Sequence, residues 1–245
     1  TEVQTIYGVW DYGDADDEYL GTFKRGAASK LSNQPDTVSL LQQTQVSYEN
    51  GFRVLSKNLI KWLTEPDDAD GKPDPSSVAE NHAGWYFDLY LENTDYKERV
   101  IRTGEIRQGI YNVIPSIPSS DHCSPAGDSI VHRIDAATGG RIATAQFDID
   151  RDMAITAGDL IEIDNPDYDP NDPNQQSTDP DAPNYVPEKI TVVPTGIHFP
   201  AMMYSPPTVR ISDELEKILI GMETGDHEEI GAVPPQLGMY YWIER

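Results

Sequence analysis

The chain has 245 residues, with 18 Lys and Arg against 42 Asp and Glu, a formal net charge of −24. A chain of this length buries about 70–75% of its unfolded surface and so holds a core of its own, while its summed field repels phosphate backbones and anionic lipid, which excludes nucleic-acid binding. No apolar run approaches the roughly 20 residues that span a bilayer, and a start at Thr1 without an initiator Met predicts a processed chain or a fragment.

The 19 Pro and 18 Gly cut the chain into short pieces and argue against long helices. In chain order, strands are predicted at residues 5–10, 83–90, 99–102, 109–114, 129–134, 142–147, 190–193 and 239–243. These pieces are short, rich in Val, Ile, Tyr and Trp, and bounded by turn residues. Residues 37–46 (TVSLLQQTQV) carry apolar side chains at 38, 40, 41 and 46, which fit neither the helical nor the strand period, so both remain open there. Residues 211–222 open with a cap-like Ser-Asp-Glu run, but Leu219-Ile220-Gly221 followed by Thr224-Gly225 suits a strand ending in a turn, and strand is favoured. The expected fold class is all-β, as a single region over 1–245.

Three acidic stretches interrupt the strands, at 11–18, 65–74 and 165–187. The last repeats Asp-Pro and Asn-Asp units and offers little to bury beyond Tyr168, Tyr185 and Val186, so it should run over the surface. Solvated loops are the first reading of all three, and calcium recruitment the second. A single cysteine, Cys123, excludes an internal disulfide and every multi-Cys metal or haem motif. It is expected in an ordered Pro-Ser-rich loop, as a buried thiol or linked to another chain.

The most specific chemistry lies in residues 148–159, DIDRDMAITAGD. Asp148, Asp150, Asp152 and Asp159 fall at loop positions 1, 3, 5 and 12, the spacing at which a looped backbone converges oxygens on one hard cation, and Ala154 at position 7 is placed to offer its carbonyl. Thr156 at position 9 could hold a water ligand. Clustered carboxylates repel one another unless a divalent ion neutralises them, which argues for bound Ca2+. Met153 stands where the sharp turn of such loops usually has Gly, so a side-chain-bearing residue must take that conformation at some cost. Phe147 before the loop and Leu160-Ile161 after it are the expected anchors.

The order of segments carries a family resemblance. Residues 4–11 (QTIYGVWD), 40–44 (LLQQT), 84–89 (GWYFDL) and 98–100 (ERV) are followed by Ile114-Pro115-Ser116, Cys123-Ser124, the 134–140 run IDAATGG, Phe147 with the acidic loop, and the closing 241–245 YWIER. In that order they resemble the C-terminal β-propeller of the PilC/PilY family of type IV pilus tip-associated adhesins, over most of the chain from residue 4 to about 161. The resemblance implies a propeller in which calcium, held by Asp148, Asp150, Asp152, Ala154 and Asp159, controls pilus extension and retraction on an extracellular protein of the pilus tip that contributes to surface attachment. It implies minor pilins of the tip as partners. At roughly 40–45 residues per blade the chain makes three or four blades once the acidic insertions are set aside. A partial ring leaves open sheet edges, so it should be completed by the remainder of the propeller or by an N-terminal chain.

Enzyme signatures are missing. His82, His122, His132, His198 and His227 form no His-Glu-x-x-His pair, and neither a Gly-x-Ser-x-Gly elbow nor a phosphate loop occurs. Each histidine reads as a surface or satisfied core residue. The turn at 135–140 is also similar to blades of quinone-dependent dehydrogenases, but without vicinal cysteines it reads as a shared tight turn. Trp10, Trp62, Trp85 and Trp242 are core candidates ahead of glycan-stacking ones. No enzyme activity is expected. The alternative to a calcium-regulated pilus-tip module is a structural cap or subunit of an extracellular filament, with calcium serving stability only.

Overall fold

A computed structural model describes residues 3–9, 38–60, 81–90, 98–119, 127–172, 175, 185–202, 208–211, 216–221 and 227–232. These form fifteen strands and one short 3-10 turn, with no α-helix among the described residues. The strands are β1 (Gln4–Val9), β2 (Val38–Gln43), β3 (Gln45–Glu49), β4 (Phe52–Leu55), β5 (Asn81–Leu89), β6 (Glu105–Arg107), β7 (Ile110–Val113), β8 (Ser116–Pro118), β9 (Gly127–Asp135), β10 (Ile161–Asp164), β11 (Lys189–Val192), β12 (Gly196–Phe199), β13 (Thr208–Ile211), β14 (Glu216–Gly221) and β15 (His227–Ala232). The all-β class follows the sequence expectation.

The strands build four sheets. A seven-stranded sheet runs β3-β4-β12-β9-β7-β6, with β8 also on β9; a three-stranded sheet runs β1-β5-β2; β10 pairs with β11; and β13-β14-β15 form the fourth. None of these sheets closes on itself among the described residues. Pairing is antiparallel except for β2 alongside β5. The undecided 37–46 stretch resolves into β2 and β3, and the favoured strand within 211–222 is β14.

Two hairpins share one turn chemistry. Asn50 and Gly51 have φ of 52° and 81° between β3 and β4, and Gln108 and Gly109 have φ of 51° and 78° between β6 and β7. Two successive positive φ values match the right-handed twist of the flanking strands in a two-residue hairpin, and glycine takes the second position without Cβ strain.

Packing makes the seven-stranded sheet the hub. Its Leu55, Val113 and Ile134 join Ile6, Trp85, Phe87 and Leu89 of the β1-β5-β2 sheet in one cluster. Val54 meets Ile163 and Val192 of the β10-β11 pair, and Val131 meets Phe147 and Ala232. Trp85 is the described member of the four tryptophans; it is buried, and its indole N–H donates to the Ala136 carbonyl at 3.1 Å. That contact seats the 135–140 turn, where Gly139 has φ 69° and a Cβ would fall within 2.2 Å of the indole ring, so no other residue fits.

Two predicted strands are absent as ladders. Residues 99–102 contribute one bridge, Arg99 to Ser116, and 142–147 contribute one, Phe147 to Ala232. In the second segment Ala145 and Phe147 are buried while Ala143 and Thr144 are exposed, so its apolar side chains pack inward without a neighbouring strand. The predicted strand at 239–243, the acidic stretches 11–18 and 65–74, Cys123, His122, Trp10, Trp62 and Trp242 lie outside the described residues. The described part of 165–187 makes local turns: the Tyr168 amide donates to the Asn165 carbonyl at 3.0 Å and the Asp172 amide to the Asp169 carbonyl at 3.1 Å.

Candidate metal centre

The acidic loop leaves the core at Phe147, which is fully buried and bridges Ala232 at the end of β15. The next amide, of Asp148, donates to the Gly231 carbonyl at 2.9 Å. A side chain at 231 would press on Asp148, since a Cβ there lies 2.7 Å from the Asp148 Cβ. The loop therefore starts from a fixed point.

Its interior is organised by carboxylates accepting backbone N–H groups. Asp148 Oδ1 accepts from the Asp152 amide and Oδ2 from the Met153 amide, both at 3.1 Å; Asp150 Oδ1 accepts from the Asp152 amide at 3.1 Å; Asp152 Oδ1 accepts from the Ala154 amide at 2.8 Å. Arg151 and Met153 adopt φ of 60° and 67°. Met153 thus takes the left-handed conformation expected at the Gly position, with its side chain 69% exposed and free of steric conflict with a core.

Asp159 closes the loop from beneath. It is fully buried, and its oxygens accept the Ile149 and Thr156 amides, both at 2.7 Å. Thr156 in turn caps the short turn Ala157–Asp159, its hydroxyl accepting from the Gly158 amide at 3.0 Å. This reciprocal cap ties the two ends of the loop together through one side chain.

Ligating oxygens of Asp148, Asp150 and Asp152 lie within 4.8 Å of one another. Asp159 is outside that trio, and the Ala154 amide is part of the loop's internal hydrogen bonding. The three-oxygen set is hard and anionic, the donor chemistry of Ca2+ or Mg2+ and not of soft thiolate-seeking metals. Each carboxylate oxygen has two lone pairs, so accepting one amide leaves capacity for a cation. The Asp152 amide favours the ionised form of Asp150, but desolvation and the charges of Asp152, Asp159 and Asp148 outweigh it and raise the Asp150 pKa. A cation among them would reverse that balance. The residues fit a hard divalent ion.

A second charged cluster is one the sequence reading missed. Arg53 of β4, Glu98 and His132 of β9 are all fully buried. Arg53 Nη1 donates to Glu98 Oε1 at 2.5 Å, Glu98 Oε2 lies 3.1 Å from His132 Nε2, and Arg53 Nη2 donates to the Tyr90 carbonyl. Burial opposes charge on Glu98, yet Arg53 and His132 outweigh it and hold its carboxyl below the usual range; burial keeps the His132 pKa low despite Glu98. The cluster balances its charge as an Arg+–Glu− pair with a neutral imidazole, while Arg53 Nε and His132 Nδ1 are buried without a hydrogen-bond partner. The histidine reading holds for His132 as a core residue, while His198 is part-buried and 3.0 Å from Asp128 Oδ2.

No family profile matches the chain. The chain is 28% identical over 157 residues to the type IV pilus biogenesis factor PilY1 of Pseudomonas aeruginosa strain PAO1, a match covering 63% of this chain and 12% of that protein. Against PilY1 of strain UCBPP-PA14 it is 21% identical over 166 residues, covering 64% and 13%. The chain thus spans about an eighth of the length of the curated relatives it matches. Its fold matches the crystal structure of the P. aeruginosa PilY1 C-terminal domain with a TM-score of 0.55 at 17% identity, over 96% of this chain and 38% of that one. In sequence and in fold, this chain resembles the C-terminal region of PilY-type pilus biogenesis factors.

Proposed function

We propose that this chain is the calcium-binding part of a type IV pilus tip-associated protein, acting in pilus assembly, in extension–retraction control and in surface attachment, outside the cell. The observation that carries the calcium reading is the convergence of Asp148, Asp150 and Asp152 oxygens within 4.8 Å, in a chain similar to a pilus biogenesis factor. In this reading the trio provides the charge and Asp159 preorganises the loop, so the ion neutralises a site already shaped. The Ala154 carbonyl supplies a further oxygen. With Met153 in the Gly position the affinity is of the extracellular type, on the order of 10⁻⁴ to 10⁻³ M or somewhat tighter.

The four sheets are read as a sector of a larger β-propeller, completed by the remainder of the parent protein or by an N-terminal chain. Minor pilins at the tip are the proposed partners. The reading is of a non-enzyme: His132 is a core residue paired with Glu98, and His198 is part-buried and paired with Asp128. No helix of the described residues is long and apolar enough to cross a membrane.

One observation favours a second reading, in which calcium serves stability alone. The loop entrance is tied to β15 by the Phe147–Ala232 bridge and the Asp148–Gly231 hydrogen bond, so an ion there would fasten two distant parts of the chain. Binding of the protein to purified minor pilins with and without calcium separates the readings. Regulation predicts affinity that changes with calcium at temperatures where both forms are folded. A purely structural ion predicts unchanged affinity there, with a difference only in melting.

A further inference from the structure

On the side of the fold where Leu160 leaves the acidic loop, a small open cleft of about 210 Å³ lies between β11, the segment after β9, and residue 57 after β4. Its walls are Ile142, Leu160, Val192 and Val193, and its two charged members are both cations, Lys57 and Arg141. That pairing stands out in a chain of net charge −24. Among the described residues neither cation has an ion-pair or side-chain hydrogen-bond partner.

The two cations are held side by side by the backbone. The Arg141 amide donates to the Ser56 carbonyl at 3.0 Å, and Lys57 is the next residue. Ser56 is itself fixed, its hydroxyl donating to Gln43 Oε1 at 2.6 Å, while Gln43 Nε2 donates to the Thr138 carbonyl at 2.9 Å in the turn leading to Arg141. Arg141 is half-buried, and that burial lowers its pKa because partial desolvation disfavours the charged guanidinium. A carboxylate arriving in the cleft meets two cationic side chains carried on backbone segments that are tied together, with Arg141 able to bind it bidentately.

Size and the remaining donors define the ligand. A cleft of this volume is below the roughly 300–1,000 Å³ of drug-sized sites and suits one acidic side chain with an aliphatic neighbour. Among the described residues the amides of Ile142 and Ala143, which line it, have no hydrogen-bond partner, although 142–147 has the composition of a strand. Unpaired amides beside an apolar wall are what an extended peptide satisfies. We propose that this cleft is a docking site for an extended segment of a partner protein, which places a Glu or Asp carboxylate between Lys57 and Arg141 and an adjacent aliphatic side chain against Leu160, Val192 and Val193. The inference stands apart from the calcium reading, because none of these contacts uses Asp148, Asp150 or Asp152.

The test is methyl and amide NMR on the whole 245-residue chain, titrated with acetyl-Val-Glu-Val-amide, acetyl-Val-Gln-Val-amide and sodium acetate, each with and without calcium. The Glu peptide is expected to shift the Leu160, Val192 and Val193 methyls and the Ile142 and Ala143 amides, binding at least tenfold more tightly than the Gln peptide or acetate, and equally in both calcium states. Arg141→Gln should weaken the Glu peptide at least tenfold, with Lys57→Gln a smaller loss. Equal binding of the Glu and Gln peptides to wild type would overturn the proposal without needing any variant. Acetate binding as tightly as the Glu peptide would overturn the peptide assignment, leaving a site for free carboxylates. Shifts that persist in a folded Arg141→Gln variant would overturn the location.

Discussion

The protein carries two clusters of charge that solve the same problem in opposite ways. In the interior, Arg53, Glu98 and His132 are removed from water and balance one another within hydrogen-bond distance. In the acidic loop, where Asp150 and Asp152 are exposed, Asp148, Asp150 and Asp152 share one sign and accept hydrogen bonds from backbone amides. The difference shows what each can do. A buried cluster that closes its own charge balance fixes packing, whereas a cluster of one sign is lowered in energy by a cation, which is the basis of the proposed calcium reading.

The largest expected effect breaks the interior cluster. Glu98→Gln leaves the Arg53 guanidinium buried without its counter-charge and should cost about 3–5 kcal/mol in urea unfolding. Replacing both partners, as Arg53→Met with Glu98→Leu, should cost less than the Glu98 change alone, because no charge is then stranded. A double variant that costs the sum of the singles would show that the pair is not coupled.

Next in size is the anchor the loop hangs from. Phe147→Ala empties a fully buried site against Val131 and Ala232 and should destabilise by about 3–5 kcal/mol, at the lower end if the loop collapses into the space. Smaller again is Asp159→Asn, which puts an amide in place of a buried carboxyl group that accepts two backbone N–H groups and should cost about 1–3 kcal/mol in metal-free protein. It should also weaken calcium binding, by loosening the loop that presents the trio.

The smallest expected effect is in pH dependence, where the two clusters have opposite signs. His132 and Glu98 both have lowered pKa values, so the stability they contribute is full above their ordinary values of 6.5 and 4.5 and is lost as pH falls below them. Asp150 has a raised pKa, so in metal-free protein its repulsion grows as pH rises from its ordinary 3.8 through the raised value. Denaturant curves between pH 7 and 4 should therefore show wild type losing stability on acidification while its deficit relative to Asp150→Asn shrinks. A deficit that widens toward acid would mean that the loop carboxylates do not repel one another in the metal-free state.

Much of the surface site was legible in the sequence because its residues are local. The spacing of Asp148, Asp150 and Asp152 within one loop, the demand on Met153 and the anchoring by Phe147 all depend on neighbours a few positions apart. What spacing could not show is that Asp159 points into buried amides, since a position-12 carboxylate reads the same whether it faces an ion or the loop backbone. The interior cluster was invisible for the opposite reason. Arg53, Glu98 and His132 lie 45 and 34 residues apart; Arg53 and His132 meet through the strand order β4-β12-β9, Glu98 stands next to the Arg99–Ser116 bridge, and Arg53 within Phe52–Leu55 gives no periodic signal. The all-β class was legible from turn residues and short apolar runs, but the β3-β4 hairpin escaped although Asn50-Gly51 is a strong hairpin signal. At 142–147 strand composition misled, because the consecutively buried Ala145, Gln146 and Phe147 serve packing without a ladder.

In the proposed reading, the Asp148–Asp150–Asp152 loop takes up its missing positive charge as calcium. Thermal melting of metal-free wild type and Asp150→Ala across a calcium titration tests it most directly. At calcium one hundred times the dissociation constant the linkage stabilisation is about 2.7 kcal/mol, or roughly 5–10 °C for a chain of this size. Wild type should show that shift and Asp150→Ala should lose it, with metal-free melting of the variant unchanged or higher because one repelling charge is gone. Equal calcium-dependent stabilisation of both proteins would contradict it and move the site to one of the other acidic stretches.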